Sequence, residues 1–246
     1  MISEERNIEN EDVIHQWEPL KFNINENYKY VPNGIIFKFF SNLLYYGIAF
    51  PILFLILKIR YDLKIEGKEN IKNLKNGAIS VSNHVLILDC AMVGIACVRK
   101  KIFFTTREGS FKIPFVRKLI RLLRAIPIPK DIKNKEHFIM AVDKLLKDNK
   151  IVHFYPEAAL WPFCEKLRNF KKGAFGFAIR NNVPILPIVI TFRKPKGIRK
   201  ILKIEKDVTL KILPPIYGDE CKEKSQTERE SELKEKVYLV MKEHLK

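Results

Sequence analysis

Cysteine is scarce and scattered in this 246-residue chain: Cys90, Cys97, Cys164 and Cys221 form no C-x-x-C pair and no matching histidine spacing. They supply neither a zinc ligand set nor a disulfide framework, and they fit a reducing, intracellular setting. No metal site is expected. Glycine is sparse as well, at ten residues, and no glycine-rich loop of the dinucleotide or Walker kind occurs. Acidic residues are outnumbered, 28 against 45 lysines and arginines, for a formal charge of +17. That surplus selects an anionic partner: nucleic acid, an anionic membrane surface or a phosphorylated small molecule. Nucleic acid is set aside, because the aromatics do not alternate with Lys and Arg but gather in an apolar N-terminal run and the expected core. Residues 1–33 are polar and of mixed charge, unlike a secretory signal.

The chain does have one long uncharged run, the 19 residues from Phe39 to Leu57, with Lys38 before it and Lys58 and Arg60 after. That is the threshold length of a transmembrane helix. Ser41, Asn42 and Gly47 dilute its first half, and Pro51 breaks or kinks its middle. Tyr45 and Tyr46 are residue types that favour the headgroup level. Two shorter helices dipping into one leaflet are the preferred reading, with a full span second and a buried helix of a soluble domain third. The organisation is then a polar segment 1–33, a membrane-associated helical segment 34–60 and an α/β domain over 61–246.

From Tyr61 onward short apolar runs alternate with amphipathic ones. Strands are predicted at Asp62–Glu66, Ala78–Ser82, Ile102–Thr105, Ile126–Ile128, Ile151–Phe154, Ile185–Thr191 and Val208–Ile212. Helices are predicted at Leu88–Val98, Lys112–Leu123, Lys135–Lys147, Gly173–Asn181 and Glu228–Leu245. The alternation signifies an α/β fold, a mostly parallel central sheet flanked by helices. The last helix is expected to open on a capping box, Thr227 to Glu230, and to pack a stripe of Leu233, Val237, Val240, Met241 and Leu245 on the sheet.

His84 and Asp89 stand five positions apart at the predicted corner between the Ala78–Ser82 strand and the following helix. An imidazole oriented by a carboxylate makes a general base near neutral pH, suited to taking a proton from a substrate hydroxyl. The plain alternative is a polar strand end plus a helix N-terminal carboxylate. A second constellation follows Ile151–Phe154, where Pro156 stops the strand and presents Glu157 at its C-terminal edge. Arg168, Lys171 and Lys172 then make a basic turn entering a helix at Gly173, an arrangement suited to phosphate. Its plain alternative is a solvated basic loop. His153 is expected in the core or just behind the site. Trp161 and Phe163 are assigned to loop packing before an acyl channel, and Arg107, Glu108 and Gly109 are weaker acceptor-site candidates.

In chain order, Asn83-His84 to Asp89, the Pro156-Glu157 strand end, Phe170-Lys171-Lys172-Gly173-Ala174-Phe175 and Val183-Pro184-Ile185-Leu186-Pro187-Ile188 form four blocks. Their order and spacing, from about Tyr61 to about Arg193, resembles the lysophosphatidic acid acyltransferase (1-acylglycerol-3-phosphate acyltransferase) family of membrane-bound glycerolipid enzymes. An apolar N-terminal segment agrees with that family, whose bacterial members dip a two-helix motif into the membrane.

The resemblance implies that His84 is the general base and that Asp89 fixes its tautomer and orientation. The hydroxyl of a lysophosphatidate-like lysophospholipid would attack the thioester of an acyl carrier protein or coenzyme A, in phospholipid biosynthesis on the cytoplasmic face of the membrane. No covalent acyl-enzyme, cofactor or metal is implied; the acyl thioester is a co-substrate. Glu157 matches the family position associated with the acceptor. The chain departs from the pattern in two places. Pro156-Glu157 continues as Ala158-Ala159-Leu160 where the family has Gly-Thr-Arg, so the arginine that grips the acceptor phosphate is missing and Arg168, Lys171 or Lys172 would substitute. Lys130 occupies the place of the second block's arginine, keeping charge without the bidentate fork. The acceptor therefore stays open between lysophosphatidate, another lysophospholipid and another polar lipid alcohol. A catalytically inert basic module binding anionic membrane is the alternative.

Overall fold

The computed structural model describes residues 24, 28–131, 135–202, 204, 206–218 and 224–245. Most of the polar segment 1–33, including His15, and Cys221 lie outside the described residues. Seven strands form one sheet: β1 (Lys64–Glu66), β2 (Ala78–Ser82), β3 (Ile102–Arg107), β4 (Ala125–Ile128), β5 (Ile151–Phe154), β6 (Ile185–Arg193) and β7 (Asp207–Ile212). Their spatial order is β1-β7-β6-β2-β5-β3-β4. Every pairing is parallel except the β6–β7 hairpin, where Ile190 faces Leu210. The expected mostly parallel sheet is therefore present.

Helices cover both faces. They are α1 (Ile35–Tyr61), α2 (Lys68–Lys72), α3 (Asp89–Ala96), α4 (Pro114–Leu122), α5 (Lys135–Lys147), α6 (Gly173–Asn181), α7 (Ile198–Ile201) and α8 (Gln226–Glu243). The central strand β2 is buried at all five positions, as a strand covered on both faces must be. Its pleat sorts Ile79 and Val81 toward α5, α6 and α8, and Ala78 toward α1 and α3. The α8 stripe packs as expected, with Leu233, Val237 and Met241 buried and Val240 and Leu245 against them. Its capping box is Ser225 with Glu228, two residues before the expected pair. Both pairs satisfy the spacing; the extended backbone at Ser225 lets its hydroxyl accept from the Glu228 N–H, which puts Thr227 inside the first turn.

The N-terminal apolar run corrects the two-helix expectation. It forms one continuous helix, α-helical at Ile35–Asn42 and Phe50–Tyr61 and π-helical over Leu43–Ala49. The wide π turn reconciles Pro51 with the helix. Phe50 N–H reaches back five residues to the Tyr45 carbonyl, giving the proline ring room that a regular α turn denies it. Nor is α1 a buried core helix, since Ile35, Phe39, Leu55 and Ile59 each expose more than half of their surface. It is long and apolar enough to cross a membrane by length and composition.

A stripe of α1 nevertheless packs along the domain, through Ser41, Tyr45 and Leu57. Ser41 Oγ donates to the Leu122 carbonyl, and the Arg124 guanidinium lies over the Tyr45 and Tyr46 rings while donating to Asn42. Gly94 of α3 admits Tyr45, because a Cβ there would stand 2.8 Å from its hydroxyl oxygen. At the other end Arg199 donates to the Ile59 and Arg60 carbonyls, satisfying the exposed C-terminal turn of the helix. Both ends of α1 are thus fastened to the same globular body.

Candidate active site

β2 ends at Ser82, and the next residue sets the corner. The buried Asn83 side chain donates to the Ile190 carbonyl (2.9 Å) and accepts from the Ile190 N–H (2.8 Å), latching the turn onto β6. His84 then points its Nδ1 at Asp89 Oδ2, 3.0 Å away. Asp89 opens α3 with a fully buried carboxylate whose Oδ2 also accepts the Val85 and Leu86 N–H groups at 2.7 and 3.0 Å. Burial pushes the Asp89 carboxyl above its ordinary range, and the three donors pull it back, His84 foremost. With Nδ1 committed to the carboxylate, Nε2 is left as the available nitrogen of a side chain that is 23% exposed.

The imidazole is also clamped from the side. The Tyr155 ring stacks on it with centroids 3.9 Å apart and planes 20° from parallel. Behind Tyr155, His153 is fully buried between the Ser80 and Ser82 hydroxyls, 2.9 and 3.3 Å away. Burial, with His84 adding to it, drives the His153 pKa down to about 3, so it stays neutral. His153 is therefore a satisfied core histidine that supports the tyrosine edge-on.

Glu157 is brought close to the pair. It is 7% exposed, and it accepts from the backbone N–H groups of Arg168 (3.5 Å) and of His84. Burial raises its pKa from 4.5 to about 7, against the pull of those donors and of the Arg168 charge. The loop after it closes over the corner: Trp161 N–H donates to the His84 carbonyl and Phe163 N–H to the Val85 carbonyl. Arg168 lies over the Trp161 ring, 3.3 Å from its centroid. The backbone of Trp161 and Phe163 thus fastens the loop to the corner, and the Trp161 ring carries Arg168. Lys171 returns the chain to the site by donating its N–H to the Pro156 carbonyl, and Lys171 and Lys172 are exposed at the start of α6. Gly173 faces a different place, an apolar cleft of about 310 Å³ that Ile128, Phe138 and Phe177 also line.

Lys130 follows β4, the sheet edge three strands from β2, where its N–H bonds the carboxylate of Glu108, the residue after Arg107. At about 4.8 Å per strand, that displaces it by roughly 14 Å sideways. Arg107 at the end of β3 reaches the loop instead, donating to the Ala158 carbonyl beside Glu157. Two contributors escaped the sequence reading: the Asn83 latch and the Tyr155 stack. The only sequence signals for them are an amide beside the histidine and an aromatic two positions before Glu157.

A histidine–carboxylate corner at the C-terminal edge of a mostly parallel sheet, roofed by a basic loop, defines the class: α/β proteins with a His-x4-Asp site. The acyltransferase family model matches residues 62–191, more than half of the chain, and the chain belongs to that family of lysophosphatidic acid acyltransferase-like proteins. It is 29% identical over 165 residues to the chloroplastic 1-acyl-sn-glycerol-3-phosphate acyltransferase LPAT1 of Arabidopsis thaliana, covering 65% of this chain and 45% of that one. Against the 1-acyl-sn-glycerol-3-phosphate acyltransferase of Saccharomyces cerevisiae it is 28% identical over 149 residues, 55% of this chain and 45% of the yeast protein. The chain thus spans about half the length of the curated relatives it matches. The crystal structure of the 1-acyl-sn-glycerophosphate (LPA) acyltransferase PlsC from Thermotoga maritima aligns with 84% of this chain and 95% of its own, at TM-score 0.49 and 21% identity.

Proposed function

We propose that the protein moves a fatty acyl group from an acyl thioester, on acyl carrier protein or coenzyme A, to the hydroxyl of a phosphate-bearing lysophospholipid in glycerolipid synthesis. The observation that carries this reading is the His84–Asp89 bond. A buried carboxylate held by three donors keeps the proton on Nδ1, so Nε2 presents its lone pair as a base. Nε2 takes the hydroxyl proton as the oxygen attacks the thioester carbonyl. The tetrahedral intermediate collapses to the ester, and the thiolate leaves with the proton that the imidazolium returns. Tyr155 holds the ring in place throughout, and its π face favours the imidazolium.

Arg107, Arg168, Lys171 and Lys172 surround the Glu157 loop with positive charge fit for the acceptor phosphate. Membrane association through α1, on the cytoplasmic face, is part of the same proposal. A helix fastened at both ends to one globular body lies along a bilayer, with Ile35, Phe39, Leu55 and Ile59 dipping into one leaflet. The test is thiol release from an acyl thioester by the detergent-solubilised protein, run across a panel of lysophospholipids. Release should need one particular acceptor and vanish in His84→Ala. Release equal in the variant, or none with any acceptor, would leave an inert membrane-binding module, the reading that Leu160 in place of an arginine favours.

A further inference from the structure

A cationic cavity of about 400 Å³ opens across β6 from His84, where β6 ends, β7 begins and α1 stops. Two arginines and two aspartates form its floor. Arg193 donates to Asp62 (3.3 Å) and to the Thr209 hydroxyl (2.8 Å), and Arg199 donates to Asp207 (2.7 Å) as well as to the end of α1. Those four charges cancel. The wall carries Lys64, Lys194 and Lys196, all exposed and with no ion pair among the described residues, so the cavity keeps a surplus of three positive charges. Arg199 points inward from α7, while Ile198, Ile201 and Leu202 on the same turn expose 65 to 78% of their surface. Ile59, at the tethered end of α1, is 64% exposed.

A pocket of unspent cations rimmed by exposed aliphatic side chains matches a molecule with an anionic head and apolar tails. The geometry points to this cavity as a docking site for the headgroup of an anionic phospholipid of the bilayer, its acyl chains lying along Ile198, Ile201 and Leu202. The site is an anchor, distinct from the acceptor subsite beside Glu157. It rests on the membrane association of α1 inferred above and is independent of the acyl-transfer chemistry. Occupation would hold the C-terminal end of α1 in the leaflet and turn the C-terminal edge of the sheet toward the bilayer.

The test is vesicle cosedimentation of the purified full chain in 0.15 M salt, with phosphatidylcholine vesicles with and without phosphatidylglycerol. The triple variant Lys64→Gln/Lys194→Gln/Lys196→Gln should lose roughly 100-fold in binding to the anionic vesicles, at about 1 kcal/mol for each lysine. Binding to pure phosphatidylcholine, which depends on α1, should be unchanged. A charge-matched control at the opposite ends of the strands, Lys72→Gln/Lys75→Gln/Lys147→Gln, should lose no more than about threefold, because the length of β7, roughly 20 Å, exceeds the screening length. Equal losses in the two triples would assign the affinity to diffuse charge and overturn the site, as would no loss in the first. Unchanged vesicle binding with a raised KM for a detergent-dispersed lysophospholipid would also overturn it, making the cavity an acceptor pocket. The vesicle result stands whether or not any thiol is released.

Discussion

Replacing Glu157 by glutamine tests the electrostatics of the site without touching its base. In the folded protein this carboxyl is buried and titrates at about 7, against 4.5 when unperturbed. An acid that holds its proton more tightly when folded stabilises the native state at low pH. That advantage is lost as pH rises from about 4.5, and above about 7 the full penalty of a buried carboxylate remains. At about 1.4 kcal/mol for each tenfold change in proton affinity, the interval amounts to about 3 kcal/mol. Glutamine keeps an oxygen for the Arg168 and His84 N–H groups but never ionises. Relative to wild type, Glu157→Gln should therefore gain about 2–3 kcal/mol more at pH 8 than at pH 5. For a chain of this size the difference is roughly 5–10 °C in apparent Tm. Thermal unfolding followed by Trp fluorescence at both pH values reads it, with Trp161 reporting from the same loop. An offset between variant and wild type that does not change with pH would refute the reasoning, since it would mean that the carboxyl ionises in its ordinary range. The same variant should raise the KM for the acceptor, if the stability given up at this position serves binding.

Substitutions at three other positions probe the corner and the loop over it. Tyr155→Phe keeps the stack on His84 and should retain most of the acyl-transfer rate, whereas Tyr155→Leu should lose about three- to tenfold in kcat, the worth of an aromatic pair; equal rates in the two would dismiss the clamp. Asn83→Ala leaves the buried Ile190 N–H and C=O unpaired and should cost about 2–4 kcal/mol in denaturant unfolding. A loss below about 1 kcal/mol would show that the latch is dispensable. Ala158 sits at φ +59°, in the left-handed region. Ala158→Gly should relieve about 1–2 kcal/mol of strain against about 0.5–1 kcal/mol of added chain entropy, raising Tm by about 1–3 °C, and a lowered Tm would contradict this.

Legibility in the sequence followed the range of the interaction. His84 and Asp89 meet within a single turn, so a five-residue spacing, weak by itself, gained its meaning from the blocks around it, and the fold makes the bond. The apolar strands were plainer, because β2 and β5 are buried throughout and β6 over its first six positions, so apolar residues sit on both faces, interrupted only by Ser80, Ser82 and His153. Pro51 misled because a π turn is a local accommodation that composition does not record. The place of Lys130 was hidden for another reason: sheet order is a tertiary fact, and it sends β4 to the edge beside β3. The same sheet order brings an arginine to the loop that carries Leu160. β3 and β5 are neighbours, so the end of β3 stands beside the loop that follows β5, and Arg107 meets Ala158 across 51 residues of chain. A positive charge from another strand thus stands at that loop. A motif eroded along the chain need not be an eroded site, because a carbonyl and a phosphate are reached through space, and the fold decides which cation arrives.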